Sequence, residues 1–264
     1  MITKFLKYVN SLPVPFTMKH YQVFGYSGSM FKDGELNSAD SWDVLRETHP
    51  QFSISKNRKE WLRACEMLIR KDGQDGGLRK RAEEINILLK KENITHVFSV
   101  GVGGAGLEYQ LKKLNPELHL VCSEFAPHNV ELLKGVFEEA DDIVQFDILK
   151  GDWKEIKEKY LPQNSLCLMY RVDASFTDAE WRGIFQNMHD SGIETILYIP
   201  SSFLTLMSIF NRKWREMKWS RTKSNIVFSG YLRTKKTFQS YWRGLYVGIP
   251  YEFGGIKSFL HRRK

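Results

Sequence analysis

The chain has 264 residues, of which 42% are hydrophobic and 27% charged, and its formal net charge at pH 7 is +8. This composition is typical of a soluble globular protein, and the length suffices for one large α/β domain or for a domain with an appendage. No apolar run approaches the roughly 20 residues of a membrane-spanning helix, and the first residues lack the apolar block and cleavage site of a signal peptide. We therefore expect a cytoplasmic protein.

Residues 1–92 are predicted to form a helical N-terminal appendage. Apolar residues recur at helical spacing in 1–12, which predicts an amphipathic surface helix. Residues 25–41 are rich in turn-forming residues and predict a loop, a candidate cover for a substrate site. Two further amphipathic helices are predicted near 57–71 and 78–91.

From residue 93 the pattern changes to alternating strands and helices, which we assign to one domain over 93–264. The predicted strands are 95–100, 118–123, 143–147, 165–171, 193–199, 225–233 and 253–260. The predicted helices lie near 106–114, 128–139, 178–190 and 202–216. Alternation at this spacing predicts βαβ units and a mainly parallel sheet with helices on both faces. The last two strands have no helical pattern between them, which predicts an antiparallel pair at the sheet edge.

The most informative segment is 97–107, where an apolar strand runs into a glycine turn and then a helix. Glycine is needed there because only a backbone without side chains turns sharply and lets a ligand approach a helix N-terminus closely. We therefore predict a nucleotide-like cofactor. Glu124 ends the next strand, where a carboxylate can accept hydrogen bonds from ribose hydroxyls, and Asp147 ends the third, where it can accept from an adenine amino group. The alternative for both carboxylates is a solvated strand cap.

The glycine turn, Glu124 and Asp147 stand in an order that resembles the class I (Rossmann-like) S-adenosylmethionine (SAM)-dependent methyltransferases, over roughly 94–264. The resemblance implies an α/β fold with a doubly wound, mostly parallel seven-stranded sheet, an antiparallel C-terminal hairpin, and SAM as cofactor. The candidate cofactor-binding residues are Ser99, Gly101, Gly103, Gly104, Gly106, Glu124, Phe125, Asp147, Ile148 and Arg171. Ser99 stands where the family usually has aspartate or glutamate. Phe125 and Ile148 either contact the adenine or fill the core.

The candidate catalytic residues follow from the chemistry of methyl transfer. Proximity and orientation carry much of the acceleration, and a base is needed only where the acceptor loses a proton. In the family's fold the acceptor site lies at the carboxyl ends of the strands. Asp173, after the fourth strand, is the first candidate base or acceptor-orienting group, and Tyr170 lines the same cleft. His128 is the second candidate. The alternatives are a turn acid for Asp173 and a structural role for His128.

Cysteine and histidine usage bears on compartment and metal binding. The three cysteines, Cys65, Cys122 and Cys167, are widely spaced, which indicates buried thiols in a reducing compartment rather than a disulfide framework. The seven histidines show no metal-ligand spacing, so we expect no metal site.

Residues 211–264 hold all of the positive excess, with 14 lysines and arginines against 2 acidic residues, together with 11 aromatic residues. A basic and aromatic segment indicates an anionic partner: RNA, a phosphorylated small molecule, or a lipid surface with peripheral membrane contact. The alternative is a solvated basic face over an aromatic core.

Together these observations predict a SAM-dependent methyltransferase that methylates a hydroxyl of a small-molecule or saccharide-like (glycan) acceptor, with an anionic acceptor as an option. The family's amino-methylating signature, Asn or Asp followed by two prolines and an aromatic residue, is absent after the fourth strand. Three alternatives stay open. These are an RNA methyltransferase that uses residues 211–264, a catalytically inactive methyltransferase-like binding protein, and a dinucleotide-dependent oxidoreductase. The second alternative is favoured by Ser99, which replaces the acidic residue that is usual in the family.

Overall fold

Strands and helices alternate along most of the chain. The computed structural model describes residues 14–23, 53–71, 77–220 and 226–264. Within these ranges the strands are β1 (Thr17–Val23), β2 (His96–Val100), β3 (His119–Glu124), β4 (Asp142–Gln145), β5 (Ser165–Tyr170), β6 (Thr195–Ile199), β7 (Ile226–Arg233), β8 (Tyr246–Phe253) and β9 (Ile256–Arg263). The helices are α1 (Arg58–Lys71), α2 (Gly77–Lys91), α3 (Gly106–Leu114), α4 (Pro127–Val136), α5 (Trp153–Tyr160), α6 (Asp178–Asp190), α7 (Leu206–Ser220) and α8 (Lys235–Tyr241). None of the helices in these ranges has the length and apolar character that crossing a membrane requires.

Seven of the strands form one sheet in the order β4-β3-β2-β5-β6-β9-β8. The first five strands in this order are parallel, and β9 is antiparallel to both β6 and β8. The parallel strands are apolar because both of their faces are covered, and in β2 every residue from Val97 to Val100 is buried. This architecture confirms the predicted fold class, a mostly parallel seven-stranded sheet with an antiparallel C-terminal hairpin.

The strands of the C-terminal hairpin differ from those predicted. The hairpin consists of β8 and β9, whereas the strand predicted at 225–233 corresponds to β7, which pairs with β1 in a separate two-stranded antiparallel sheet. A helix follows β7 because the Thr234 side chain caps α8 by accepting a hydrogen bond from the Thr237 amide. The pattern of β8 is obscured by Gly248 and Pro250, residue types that are depleted in strands. The sheet tolerates them there because β8 is its edge strand.

The described part of the predicted N-terminal appendage contains a strand as well as helices. The structure confirms the helices predicted near 57–71 and 78–91 as α1 and α2, but β1 lies where a purely helical appendage is expected. β1 forms because β7 offers it a partner, a long-range pairing that no local sequence pattern contains. The predicted helix over 1–12 and the predicted loop over 25–41 lie outside the described residues. The domain boundary between residues 92 and 93 stays a prediction.

Helices cover both faces of the main sheet. On one face α1, α2, α3 and α4 pack in a core that includes Ile85 and Leu111. On the other face α5, α6 and α8 pack in a core rich in aromatic side chains, such as Trp181 and Phe238. A third, smaller cluster joins β1 and β7 and receives Ile209 of α7. α7 therefore packs on the small second sheet.

Two local predictions are confirmed as well. All three cysteines are free thiols and are buried. The helix predicted near 178 begins with a capping box, in which the Thr177 side chain accepts from the Glu180 amide and the Glu180 side chain accepts from the Thr177 amide.

Candidate functional site

The glycine turn between β2 and α3 has a backbone conformation that requires glycine at particular positions. Gly101 and Gly103 have positive φ angles of 64° and 59°, which other residues rarely adopt. A Cβ atom on Gly101 would lie 2.8 Å from Cγ1 of Val172, in the loop after β5. Gly104 is exposed, and a Cβ atom there would meet nothing within 4 Å. The turn is therefore tightly packed on the side of Val172 and open at Gly104.

Contacts from two directions hold this turn in place. The Val102 amide donates a 3.1 Å hydrogen bond to the Ser123 carbonyl of β3. On the other side, Nε1 of the buried Trp61 in α1 donates a 3.0 Å hydrogen bond to the Gly104 carbonyl. α3 then begins at Gly106, and the first amides of a helix are free to donate to a ligand.

Substituting Gly101 by alanine should lower the free energy of unfolding by about 1–3 kcal/mol, because a side chain is strained at this positive φ and displaces Val172. Gly104→Ala is the matched control, and its stability should stay within about 0.5 kcal/mol of the parent protein. Urea denaturation of the three proteins at one pH makes the comparison. Equal stabilities of the two variants would contradict the packing of the turn against Val172.

Glu124, at the end of β3, lies against the glycine turn. Its side chain is buried, and Oε2 accepts a 2.8 Å hydrogen bond from the Gly103 amide. β2 and β3 are parallel neighbours, so their carboxyl ends meet at one edge of the sheet. The structure thus brings together the glycine turn and the predicted ribose-binding acid. The hydrogen bond from Gly103 occupies Oε2 and leaves Oε1 available to a ligand hydroxyl.

Ser99 forms a buried pair with Glu108, a residue that the sequence analysis missed. Ser99 Oγ donates a 2.7 Å hydrogen bond to Oε1 of Glu108, and both side chains are shielded from solvent. Burial raises the pKa of Glu108 to about 7, with the nearby charge of Glu124 adding to the effect and the Ser99 hydrogen bond opposing it. The signal for this residue is its position between Leu107 and Leu111, on the buried side of α3. Ser99 stands where the class I methyltransferases usually have an acidic residue. Here the carboxyl group next to this position belongs to Glu108 of α3.

Glu108→Gln should remove a pH dependence from the stability of the fold. The pKa of Glu108 is raised from 4.5 to about 7 on folding. The protonated side chain therefore stabilises the folded state at low pH, and this stabilisation is lost as the pH rises through this interval. Between about pH 5 and pH 8 the parent protein should lose on the order of 3 kcal/mol more free energy of unfolding than the variant. Urea denaturation across this range measures the difference. Parallel pH profiles of the two proteins would show that Glu108 is not a buried acid.

Asp147 follows β4 and lines an open cavity. The cavity has a volume of about 300 Å³, and its walls include Gln145, Lys159 and Tyr160. Oδ1 of Asp147 accepts a 2.9 Å hydrogen bond from the Leu149 amide, which fixes the orientation of the side chain. Asp147 is half-buried, so a polar ligand group in the cavity can reach it.

The two predicted apolar contacts have different surroundings. Phe125 is half-buried, and its carbonyl accepts a 3.3 Å hydrogen bond from Nε2 of Gln145. Ile148 is buried in the aromatic core, where its carbonyl accepts a 3.3 Å hydrogen bond from Nε1 of Trp153. Ile148 therefore helps to fill the core, and Phe125 is the more accessible of the two.

Asp173, in the loop after β5, is fully buried. Its Oδ1 accepts a 2.7 Å hydrogen bond from the Ser201 amide, and its Oδ2 has no hydrogen-bond partner among the described residues. Burial raises the pKa of this carboxyl group, and the hydrogen bonds from Ser201 offset part of the effect. Asp173 therefore joins the loops that follow β5 and β6, directly beside the residue that packs on Gly101.

The remaining candidate residues, Tyr170, Arg171 and His128, lie at or after the ends of the two strands that flank β2. Tyr170, the last residue of β5, is half-buried, and its hydroxyl accepts a 2.7 Å hydrogen bond from Nη1 of Arg81 in α2. Arg171 is exposed and has a positive φ of 58°. His128 lies half-buried in the first turn of α4. Because β2 lies between β3 and β5, Tyr170 and Arg171 are on one side of the turn and His128 is on the other.

The basic and aromatic C-terminal segment has a buried part and an exposed part. Arg233 is fully buried, with Nε 2.9 Å from Oδ1 of Asp178. Lys235 and Lys236 are exposed. The aromatic side chains buried in this segment are Phe238, Tyr241, Trp242, Tyr246, Phe253 and Phe259. These rings belong to the core, so they are not available for stacking on RNA bases.

Comparisons with known proteins bear on this fold. No family model matches the chain, and no curated protein matches it. Human N-acetylserotonin methyltransferase in complex with SAM matches with a TM-score of 0.51 and 16% sequence identity, over 79% of this chain and 57% of that chain. Mitomycin 7-O-methyltransferase matches with a TM-score of 0.50 and 15% identity, over 84% of this chain and 60% of that chain. The chain has the class I methyltransferase fold.

The glycine turn lies at the point where the strand order of the sheet reverses direction. The chain runs outward from β2 through β3 to β4 and then returns to β5 on the other side of β2. Ligands of open α/β sheets bind outside the carboxyl ends of the strands at such a switch point, and the glycine turn lies there. The matches cover less than two thirds of the length of either methyltransferase.

Proposed function

We propose that the protein is a SAM-dependent methyltransferase that methylates a hydroxyl group of a small-molecule acceptor. The observation that carries the proposal is the hydrogen bond from Gly103 to Glu124, which holds a carboxylate against a glycine turn at the switch point of this fold. The names of the two similar structures support the acceptor class, since both are methyltransferases and one is a 7-O-methyltransferase. A saccharide-like or anionic acceptor is a narrower proposal, which rests on the excess of lysines and arginines in residues 211–264.

The residues at the switch point fit SAM as a cofactor. Oε1 of Glu124 would accept hydrogen bonds from the ribose hydroxyls, and Asp147 would accept from the adenine amino group. The open side of the turn at Gly104 has room for a ligand to approach the backbone. The buried pair of Ser99 and Glu108 provides the carboxyl group beside the turn. When bound, SAM supplies a methyl group activated by a positively charged sulfur atom.

The acceptor-side residues would orient the hydroxyl and receive its proton. His128 is partly accessible and would serve as the base, because a ring nitrogen of neutral imidazole can accept the proton of a hydroxyl group. Tyr170 would contact the acceptor from the other side of the turn, held by its hydrogen bond from Arg81. Asp173 is buried, so we assign it the acceptor-orienting role, which it would exert through the loops that it joins.

Isothermal titration calorimetry with SAM tests the cofactor assignment. We expect one site per chain with a dissociation constant between roughly 1 µM and 1 mM, the usual range for enzyme ligands. No heat at millimolar SAM in a folded sample would overturn the assignment, and binding of NADH without binding of SAM would favour an oxidoreductase. Transfer of a labelled methyl group to a panel of phenols and aliphatic alcohols tests the reaction. Binding of SAM without any transfer would favour a binding protein.

A further inference from the structure

Helix α7 presents an apolar face to solvent. Its exposed apolar side chains are 43% to 64% exposed and comprise Leu206, Met207, Phe210, Trp214 and Met217. At 3.6 residues per turn these side chains fall within an arc of about 100°. The rings of Phe210 and Trp214 are nearly parallel, with an interplanar angle of 18° and centroids 6.5 Å apart. The two aromatic side chains thus form one continuous apolar surface, which we call the α7 face.

The side of α7 that packs on the protein is more polar than the α7 face. Ile209 joins the small cluster between β1 and β7. Nη1 of Arg212 lies 2.7 Å from Nε2 of His20, and Glu216 is half-buried. A surface helix ordinarily buries its apolar stripe and exposes its polar residues. α7 does the reverse, so packing among the residues that the structure describes does not account for its two large exposed aromatic side chains.

Basic side chains border the α7 face. In the helical projection Lys213 lies at one border and Lys218 at the other, and both are exposed. The helix contains four lysines and arginines and a single acidic residue, Glu216. Lysine beside tryptophan and phenylalanine is typical of helices that lie in the plane of a membrane surface. In such helices the rings enter the boundary of the acyl chains while the ammonium groups reach the lipid phosphates.

We propose that α7 docks the protein on the surface of an anionic lipid bilayer, with Phe210 and Trp214 below the headgroups and Lys213 and Lys218 at the phosphates. This inference concerns a surface apart from the cofactor site and does not depend on methyl transfer. A second copy of the chain is a less suitable occupant. Two α7 faces that meet across a twofold axis would bring their basic borders together, and like charges that face each other disfavour association.

Vesicle co-sedimentation of the full chain tests the proposal. The vesicles are phosphatidylcholine alone, and phosphatidylcholine with about one third phosphatidylglycerol. We expect binding to the anionic vesicles that weakens as salt is added. Phe210→Ser combined with Trp214→Ser should lower the partition coefficient at least about tenfold. Lys213→Gln combined with Lys218→Gln should lower it by about tenfold or more, because each lysine near an anionic surface adds to binding.

Matched control variants remove similar groups elsewhere on the surface. Ile87 of α2 is 67% exposed, and Ile87→Ser should bind vesicles as the parent protein does. Lys90→Gln combined with Lys91→Gln is the control for charge. Equal binding by the parent and by the variant that lacks both aromatic side chains would overturn the proposal, as would absence of vesicle binding by the parent. A parent dimer that this variant converts to a monomer, without vesicle binding, would assign the α7 face to a second copy.

Discussion

Replacing Asp178 by alanine should lower the free energy of unfolding by about 3–5 kcal/mol, because it leaves a buried cation without its counter-ion. The cation is Arg233, whose side chain is 0% exposed and whose Nε lies 2.9 Å from Oδ1 of Asp178. The same carboxylate accepts 2.8 Å hydrogen bonds from the hydroxyls of Thr17 and Tyr241. Asp178 therefore connects β1, α6, β7 and α8, and urea denaturation at neutral pH measures the effect of its loss.

Asp190→Ala is the matched control for this prediction. Asp190 ends the same helix and its side chain is 62% exposed, so its loss should leave the free energy of unfolding close to that of the parent protein. Asp178→Asn removes the charge and one of the two acceptor oxygens. An amide oxygen in the Oδ1 position still accepts from Arg233 and Tyr241, whereas an amide nitrogen in the Oδ2 position cannot accept from Thr17. Equal stabilities of Asp178→Ala and Asp190→Ala would show that Arg233 does not depend on this carboxylate.

Glu124→Gln should raise the dissociation constant for SAM about 10–100-fold, because hydrogen bonds to a charged acceptor are worth more than those to a neutral one. The glutamine oxygen can still accept from the Gly103 amide, so the glycine turn keeps its main contact with β3. The loss then falls on the hydrogen bonds that the carboxylate makes to the ligand. Calorimetric titration of the parent and the variant with SAM gives both constants.

Glu131→Gln serves as the control for charge in the same region. Glu131 lies in α4 and its side chain is 73% exposed, so its substitution should leave the affinity for SAM unchanged. Thermal denaturation of both variants shows whether the fold is intact. A Glu124→Gln protein that is stable and binds SAM as tightly as the parent would exclude Glu124 as a ligand of the ribose.

The parallel sheet and the glycine turn could be predicted because their signals are local. The strands β2, β3 and β5 are covered on both faces and so appear in the sequence as short apolar runs. Gly101 and Gly103 adopt positive φ angles, a conformation that glycine adopts more readily than other residues, so the residue type predicts it. Glu124 could be placed at the turn because the carboxyl ends of the parallel neighbours β2 and β3 share one edge of the sheet.

The features that could not be predicted depend on residues distant in sequence. β1 has no strong pattern of its own, and its partner β7 lies about two hundred residues later. The basic segment around Arg233 predicts an exposed cation at this position. Arg233 is instead buried, because Asp178, 55 residues earlier, supplies a counter-ion. The environment of Glu108 is likewise set by burial against the sheet, and a helix pattern alone does not show whether such an acid is solvated.

The edge strand β8 has a neighbour on one side only among the described residues, namely β9. A sheet edge that is not covered has unpaired N–H and C=O groups, and another extended chain can form hydrogen bonds with them. Aggregation of β-proteins starts at such edges. Pro250 removes one donor from this row, and Gly248 lowers the strand propensity of the segment. The two residues that obscure β8 in the sequence therefore also disfavour extension of the sheet by a foreign strand.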